Sequence, residues 1–202
     1  MRRLSGHVRT LAWITGLLLA AMLAGCGQDA ARFRGSDISG ASFGHDFDLT
    51  DHNGQRRTLA DFHGKVVVLF FGYTHCPDVC PTTLAGLAQA MKELGDDAQR
   101  VQVLFATVDP ERDSADLLAL YVPAFNPAFL GLRGDPDATA RVTRDFKVLA
   151  QKQPGGAPGS YTVDHSAGTF IFDPQGRLRL YVAYGQDPAV FTHDIRALLD
   201  AG

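Results

Sequence analysis

The sequence of 202 residues has only three cysteines, no surplus of basic residues and no internal repeat. Its 19 Lys and Arg against 22 Asp and Glu give a formal net charge of −3, which argues against a surface that binds nucleic acid. The uncharged apolar run at its start, Leu11 to Leu23, is shorter than the roughly 20 residues of a typical membrane span. The composition of the whole chain, 46% hydrophobic and 20% charged residues, is typical of one ordinary globular domain.

The amino-terminal segment has the pattern of a secretory signal. Arg2, Arg3 and Arg9 precede the apolar run, which ends in the letters LAGC at Cys26. LAGC resembles the lipobox of bacterial lipoproteins, and the resemblance implies cleavage before Cys26 and attachment of lipid to its sulfur. Residues 1–25 are therefore predicted to be a lipoprotein signal peptide. The expected location is the membrane surface on the periplasmic, or extracytoplasmic, side, and an uncleaved anchor helix is the alternative.

The mature chain is more acidic and has a single pair of cysteines. Without residues 1–25, Lys and Arg fall from 19 to 16 against 22 Asp and Glu, a formal net charge of −6. Residues 26–42 are small and polar without an apolar period, so they are predicted to be a lipidated flexible tether. The domain itself is predicted to occupy residues 43–202. In an oxidising compartment, its two cysteines could close a disulfide.

Apolar runs and turn signals alternate along the domain in the order strand, helix, strand, helix, followed by a hairpin and a last helix. This order predicts a three-layer α/β fold with a central mixed sheet, preceded by an N-terminal β-hairpin. Residues 153–160 are rich in Gly and Pro and are predicted to be a loop. The predicted strands are Val66–Phe71, Val101–Val108, Phe129–Leu132, Ala167–Phe172 and Leu178–Tyr184; the predicted helices are residues 84–94, 114–121 (capped by Asp113 or Ser114), 138–146 and 189–199; and the first hairpin turns at Asn53-Gly54.

The segment FGYTHCPDVCPTTL, residues 71–84, concentrates reactive side chains where a buried strand ends. If the loop coils into a helical turn, Cys76 and Cys80 lie at positions i and i+4, with Cβ atoms about 5–6 Å apart. That spacing suits two sulfurs on one metal ion, and a helix N-terminus is expected to lower the pKa of a thiol. A structural disulfide is the alternative, although a bridge across so small a loop stabilises little.

Two sulfurs are too few to hold a soft metal ion selectively, and an imidazole is the usual further ligand, for which His165 is the distinctive candidate. His165 ends a β-like segment and lies between Asp164 and Ser166, ahead of an apolar strand. A lone histidine in such a place is more commonly a satisfied turn or core residue, so the residues alone leave its role open. The other candidates are His45, His52, His63, His75 and His193.

Three segments together resemble the Sco/SenC family of copper chaperones for respiratory oxidases: YTHCPDVCPTTL, TVDPERD, and VDHS followed by FIFDPQGRLRLYVAYGQ. The resemblance runs from about Phe43 to Leu199. It implies a thioredoxin-like fold and a metal site made of Cys76, Cys80 and His165. It further implies a metallochaperone, not an enzyme, which delivers copper to the binuclear copper centre of cytochrome c oxidase or reduces the cysteines of that centre.

The implied cargo is Cu(I), with Cu(II) as a second candidate, and a Cys76–Cys80 disulfide would prevent binding, so metal loading and redox state should be coupled. The implied partners are the copper-site subunit of the oxidase, other copper chaperones or thiol reductants, and the membrane through the lipid. A role around the ligands is a hypothesis for Asp78, Asp109 and Asp164. Arg112 is expected to pair with a carboxylate.

The alternative function is that of an extracytoplasmic thiol-disulfide oxidoreductase. Val79-Cys80-Pro81-Thr82 resembles the VCPT stretch of peroxiredoxins, but Pro77 stands where they have a threonine. Thioredoxins use CxxC opposite a cis-proline, whereas this chain has CxxxC and the opposite segment VDHS has no proline. Peroxide turnover is therefore not expected. Purely structural cysteines are the third interpretation.

Overall fold

The computed structural model describes residues 33–156 and 159–201. The predicted signal peptide and Cys26 lie outside these residues. In the part of the chain that is described, no helix combines the length and apolar character that crossing a membrane requires. The elements are the strands β1 Ser36–Asp37, β2 Leu49–Asp51, β3 Arg56–Arg57, β4 Val66–Gly72, β5 Val101–Thr107, β6 Leu130–Arg133, β7 Ala150–Pro154, β8 Tyr161–His165, β9 Thr169–Phe172 and β10 Leu178–Val182; the helices α1 Val79–Leu94, α2 Ala115–Tyr121, α3 Pro136–Asp145 and α4 Ala189–Ala201; and 3-10 turns at Leu59–Phe62 and Gly95–Arg100.

Within residues 33–156 and 159–201, eight strands form one mixed sheet in the order β1-β10-β9-β4-β5-β6-β2-β3. Strands β4, β5 and β6 are parallel, and the neighbours on either side are antiparallel. Every residue of β4 is buried, as expected for a strand covered on both faces. The predicted mixed sheet and the N-terminal hairpin β2–β3 are confirmed.

Helices cover both faces of this sheet. Side chains alternate along a strand, so Phe70 and Gly72 lie on one face of β4 and Phe71 on the other. On the first face, a Cβ atom at Gly72 would meet Cys80 of α1, and α4 packs beside α1. On the second face, the ring of Phe146, just after α3, packs 5.2 Å from that of Phe71. The three-layer prediction is therefore confirmed.

The folded unit begins at Phe33, ten residues earlier than predicted. Strand β1 pairs with β10, and the carboxylate of Asp194 accepts hydrogen bonds from the backbone N–H groups of Arg34 at 2.9 Å and Gly35 at 2.7 Å. The prediction of a flexible tether is thus wrong for residues 33–42. A short polar strand gains its order from an edge strand and a buried carboxylate about 160 residues away, and composition does not reveal such partners.

The predicted loop at residues 153–160 is wrong at its first two positions. Gln153 and Pro154 belong to β7, which forms a separate two-stranded sheet with β8 in the register Ala150 opposite His165. Exposed polar residues dominate β7, so no apolar alternation indicates it. The hairpin β7–β8 carries the predicted ligand His165 at its end.

Candidate metal centre

The cysteine segment connects the end of β4 to the start of α1, at the edge of the sheet where the parallel strands end. Cys76 lies in the loop and is partly buried, whereas Cys80 lies in the first turn of α1 and is fully buried. The backbone N–H of Cys80 points at the sulfur of Cys76, with 3.4 Å between N and Sγ. The turn of chain between the two cysteines therefore gathers both sulfurs at the helix N-terminus.

Gly72 makes room for the buried sulfur, a role that was not predicted from the sequence. A Cβ atom at this position would lie 2.9 Å from Sγ of Cys80 and 2.7 Å from the ring of Phe105. Both distances are shorter than real side chains tolerate, so the sulfur packs directly on the backbone of β4. A glycine that ends an otherwise apolar strand just before a cysteine motif is the signal that could have indicated it.

His165 approaches the sulfurs from the other side. Its Nε2 lies 3.5 Å from Sγ of Cys80, although 85 residues separate the two in sequence. Its Nδ1 lies 3.0 Å from the carbonyl oxygen of Ser166. A carbonyl only accepts hydrogen bonds, so Nδ1 carries the proton and Nε2 offers its lone pair toward the sulfurs. The rings of Tyr73 and Phe70 pack against the imidazole with centroid distances of 5.8 and 6.3 Å.

The two sulfurs and an imidazole nitrogen all lie within 4.8 Å of one another. Two thiolates and one imidazole favour a soft ion such as Cu(I), and three ligands leave a coordination position open. His75, the neighbour of Cys76 in sequence, lies outside the cluster, has a side chain that is 51% exposed, and contacts Thr74 instead. Among the residues that the structure describes, no other group of His, Cys, Asp and Glu converges in this way.

Burial shifts the pKa of two members of the cluster, Cys80 and His165. It raises the pKa of the Cys80 thiol well above its ordinary value, and the neighbouring Cys76 and Asp113 act in the same direction. Burial also lowers the pKa of His165, against smaller opposing effects of the Ser166 carbonyl and the Asp164 charge. The expectation that the helix N-terminus would lower the thiol pKa is therefore wrong for Cys80, because loss of hydration outweighs the helix dipole.

The carboxylates proposed around the ligands all lie outside the donor cluster. Asp78 is exposed and accepts a hydrogen bond from the hydroxyl of Thr82 at 3.2 Å. Asp164 is exposed on β8 and acts on His165 only through its charge. Asp109 is buried, but its partners are Arg112, as expected, and Tyr161.

Asp113 supports the cysteine loop and does not cap α2. The cap is Ser114, whose Oγ accepts a hydrogen bond from the N–H of Leu117 at 3.2 Å. The fully buried carboxylate of Asp113 accepts from the backbone N–H of Thr74 at 3.1 Å and its hydroxyl at 2.6 Å, and from the hydroxyl of Thr107 at 2.5 Å. It thereby joins the end of β5 to the loop that precedes Cys76.

Fold and site together define a class: a thioredoxin-like α/β domain with a Cys-Cys-His centre where its parallel strands end. Residues 35–200 match the model of the SCO1/SenC family. The chain therefore belongs to the SCO1/SenC family.

Curated relatives and solved structures agree with this membership. The chain is 45% identical over 141 residues to the mitochondrial SCO2 homolog of Danio rerio, covering 69% of this chain and 50% of that protein. It is 35% identical over 146 residues to the human mitochondrial SCO1 homolog, covering 71% and 48%. The chain thus spans about half the length of the curated relatives it matches.

The structural neighbours solved with copper bound include a bacterial and a yeast protein. ScoI of Bradyrhizobium japonicum is 39% identical with a TM-score of 0.72, over 78% of this chain and 100% of that one. Yeast Sco1 is 31% identical with a TM-score of 0.72, over 80% of this chain and 91% of that one.

Proposed function

We propose that this protein is a membrane-tethered copper chaperone that serves the assembly of cytochrome c oxidase, with Cys76, Cys80 and His165 as its copper ligands. The observation that carries the proposal is the convergence of two sulfurs and one imidazole nitrogen within 4.8 Å. Copper-bound structures of two relatives support copper as the cargo. The oxidase as destination follows from family membership, and its copper-site subunit is the proposed receiver.

The arrangement suits release as well as binding. Two ligands come from the loop and helix after β4, and the third from the end of a separate hairpin, so the ligands can part without unfolding the sheet. The open coordination position lets a ligand of the receiving protein bind copper before Cys76, Cys80 and His165 let go.

The same two thiols can instead reduce the receiving cysteines. Cys76 is the more exposed sulfur and would attack a partner disulfide, forming a mixed disulfide and releasing one partner thiol. Cys80 would then attack the sulfur of Cys76, and its proton would pass to the departing partner thiolate, which leaves a Cys76–Cys80 disulfide and moves two electrons to the partner. Other copper chaperones or thiol reductants would restore the site.

In this proposal the lipid on Cys26 holds the domain at the extracytoplasmic membrane surface after removal of residues 1–25. Residues 27–32 then separate the lipid from the folded unit that begins at Phe33.

Replacing His165 by alanine is expected to weaken Cu(I) binding by about 10- to 100-fold or more. Removing only the hydrogen-bond partner of a metal ligand usually costs that much affinity, and this variant removes the ligand itself. Two thiolates remain in this variant, so binding should weaken without vanishing. The measurement is a competition titration of the reduced domain with a chromophoric Cu(I) chelator. His75→Ala is the matched control, because His75 adjoins Cys76 in sequence but lies outside the cluster, and it should bind copper like the wild type.

Equal copper affinity of His165→Ala and wild type, together with intact exchange between the thiols and a model disulfide, would favour the thiol-disulfide oxidoreductase over the copper chaperone. Absorption spectra with Cu(II) add a direct test, since a thiolate-to-Cu(II) charge-transfer band reports sulfur ligation.

Apparent Cu(I) affinity is expected to rise with pH, by about tenfold or more per pH unit at neutral pH. The raised pKa of Cys80 keeps this thiol protonated at neutral pH, and the metal binds only the thiolate, so binding releases a proton. The pKa of His165 is lowered from its ordinary value of 6.5, so the imidazole is neutral at neutral pH and protons do not compete with copper for this ligand. His165→Ala should keep the slope of the wild type. A flat profile would contradict ligation by Cys80.

A further inference from the structure

The hairpin that carries His165 is not held by the central sheet. Within the described residues, neither β7 nor β8 pairs with any strand of the eight-stranded sheet. The distance of 3.5 Å between His165 Nε2 and Cys80 Sγ therefore depends on side chains that fasten the hairpin to the rest of the domain. Tyr161, at the start of β8, makes three of these contacts.

Tyr161 is bound to the segment that follows β5. Its hydroxyl donates a hydrogen bond to Oδ1 of Asp109 at 2.8 Å, and its backbone carbonyl accepts one from Nη1 of Arg112 at 2.9 Å. The guanidinium carbon of Arg112 lies 3.6 Å from the centroid of the Tyr161 ring, and Arg112 is paired with Asp109. The backbone N–H of Asp109 donates to the hydroxyl of Thr107 at 3.0 Å, which ties the group to β5.

Two routes connect these contacts to the imidazole. Tyr161, Val163 and His165 alternate with exposed residues along β8, so they share one face of the strand, and fixing Tyr161 fixes the direction of His165. In addition, Arg112 lies 5.7 Å from the ring centroid of Tyr73, and that ring packs edge-on against His165. Arg112 thus contacts the hairpin on one side and the aromatic neighbour of the ligand on the other.

We propose that Asp109, Arg112 and Tyr161 form a latch that positions His165 for metal binding, an inference that rests on the proposed function. The three residues lie outside the donor cluster, and Arg112 contacts the cysteine loop only at the ring of Tyr73, so they act as positioning residues. The latch holds the hairpin against the end of β5. In that position Nε2 of His165 lies beside the two sulfurs. Its loosening moves His165 away and leaves the two sulfurs in place.

The same hairpin offers a matched contact outside the latch. Lys152 on β7 forms an ion pair of 2.7 Å with Glu111, and both side chains are largely exposed, 47% and 61%. Exposed ion pairs contribute little to stability, so loss of this pair should not loosen the hairpin. Glu111→Gln is therefore the control, because it removes a charge from the loop that carries Asp109 and Arg112.

The test combines Tyr161→Phe, which removes only the hydroxyl, with a double-mutant cycle. Tyr161→Phe is expected to weaken Cu(I) binding about tenfold and Arg112→Met by about 10- to 100-fold, in the range known for residues behind metal ligands. Glu111→Gln should bind like the wild type. In a His165→Ala background, Tyr161→Phe should have no further effect on copper affinity, because the latch acts only through His165.

Hydrogen exchange of the metal-free protein tests the latch without copper. In Tyr161→Phe the amides of β8 should exchange about tenfold faster, while those of β4 and β5 stay unchanged. Wild-type copper affinity in Tyr161→Phe and Arg112→Met would overturn the latch, and so would an undiminished effect in the His165→Ala background. Failure of the wild type to bind copper would refute the proposed function; unchanged β8 exchange in Tyr161→Phe would then separately refute the latch.

Discussion

Replacing Cys80 by serine is expected to cost more copper affinity than any other single change at the site, more than the roughly 100-fold upper range for residues behind a ligand. A serine hydroxyl stays protonated at neutral pH and is a hard donor, so it does not replace a thiolate on Cu(I). Cys76 and His165 alone then offer one sulfur and one nitrogen. The measurement is competition with a high-affinity Cu(I) chelator, together with loss of the thiolate-to-Cu(II) absorption band.

The buried position of residue 80 calls for a control on folding. The Cys80 sulfur rests on the backbone at Gly72 with no exposed surface, so serine buries a hydroxyl there at a cost of about 1–3 kcal/mol of unfolding free energy. Thr83→Ser, one turn further along α1, changes a buried side chain outside the donor cluster and should keep wild-type affinity. Tight copper binding by folded Cys80→Ser would show that the metal is held elsewhere.

The local signals in the sequence predicted the sheet and two of the three residues in the donor cluster. Val66–Phe71 is a continuous apolar run, which predicts a strand covered on both faces, and the cysteine motif begins where that run ends. The i, i+4 spacing of Cys76 and Cys80 is a property of one short segment, so it could be interpreted without knowledge of the fold.

His165 could not be assigned in the same way, because its meeting with Cys80 spans 85 residues. No local pattern distinguishes a ligand from an ordinary histidine at the end of a strand, and only the family resemblance selected it. The tether prediction failed for a similar reason: the order of residues 33–42 comes from β10 and Asp194, near the other end of the chain.

Burial also reversed one electrostatic expectation. The position of Cys80 in the first turn of α1 predicted a lowered thiol pKa, but the sequence does not show that Gly72 opens a fully buried space for the sulfur. Of the two predicted caps of α2, Ser114 is confirmed and Asp113 is wrong, because the partners of Asp113, Thr74 and Thr107, lie on other segments. Both errors concern contacts between elements.

Asp113 is a buried group that joins the cysteine loop to the end of β5. Its carboxylate has no exposed surface and satisfies three donors, two from Thr74 and one from Thr107. Hydrogen bonds to a charged group contribute about 1.5–3 kcal/mol each. Removal of the carboxylate also relieves the cost of burying a charge and lets the hydroxyls turn to new partners, so the net loss is smaller than the sum of the three.

Asp113→Ala is therefore expected to lower the free energy of unfolding of the metal-free domain by about 2–4 kcal/mol, measured by urea denaturation. Copper affinity should fall as well, since Thr74 lies two residues before Cys76 and loses both of its bonds to the end of the sheet. Asp116→Ala is the control: this exposed acid in the first turn of α2 should change stability by no more than about 0.5 kcal/mol. Equal stability of Asp113→Ala and Asp116→Ala would contradict this prediction. The sheet, α1 and the backbone of the cysteine loop would then be sufficient to fix the shape of the loop without the buried carboxylate.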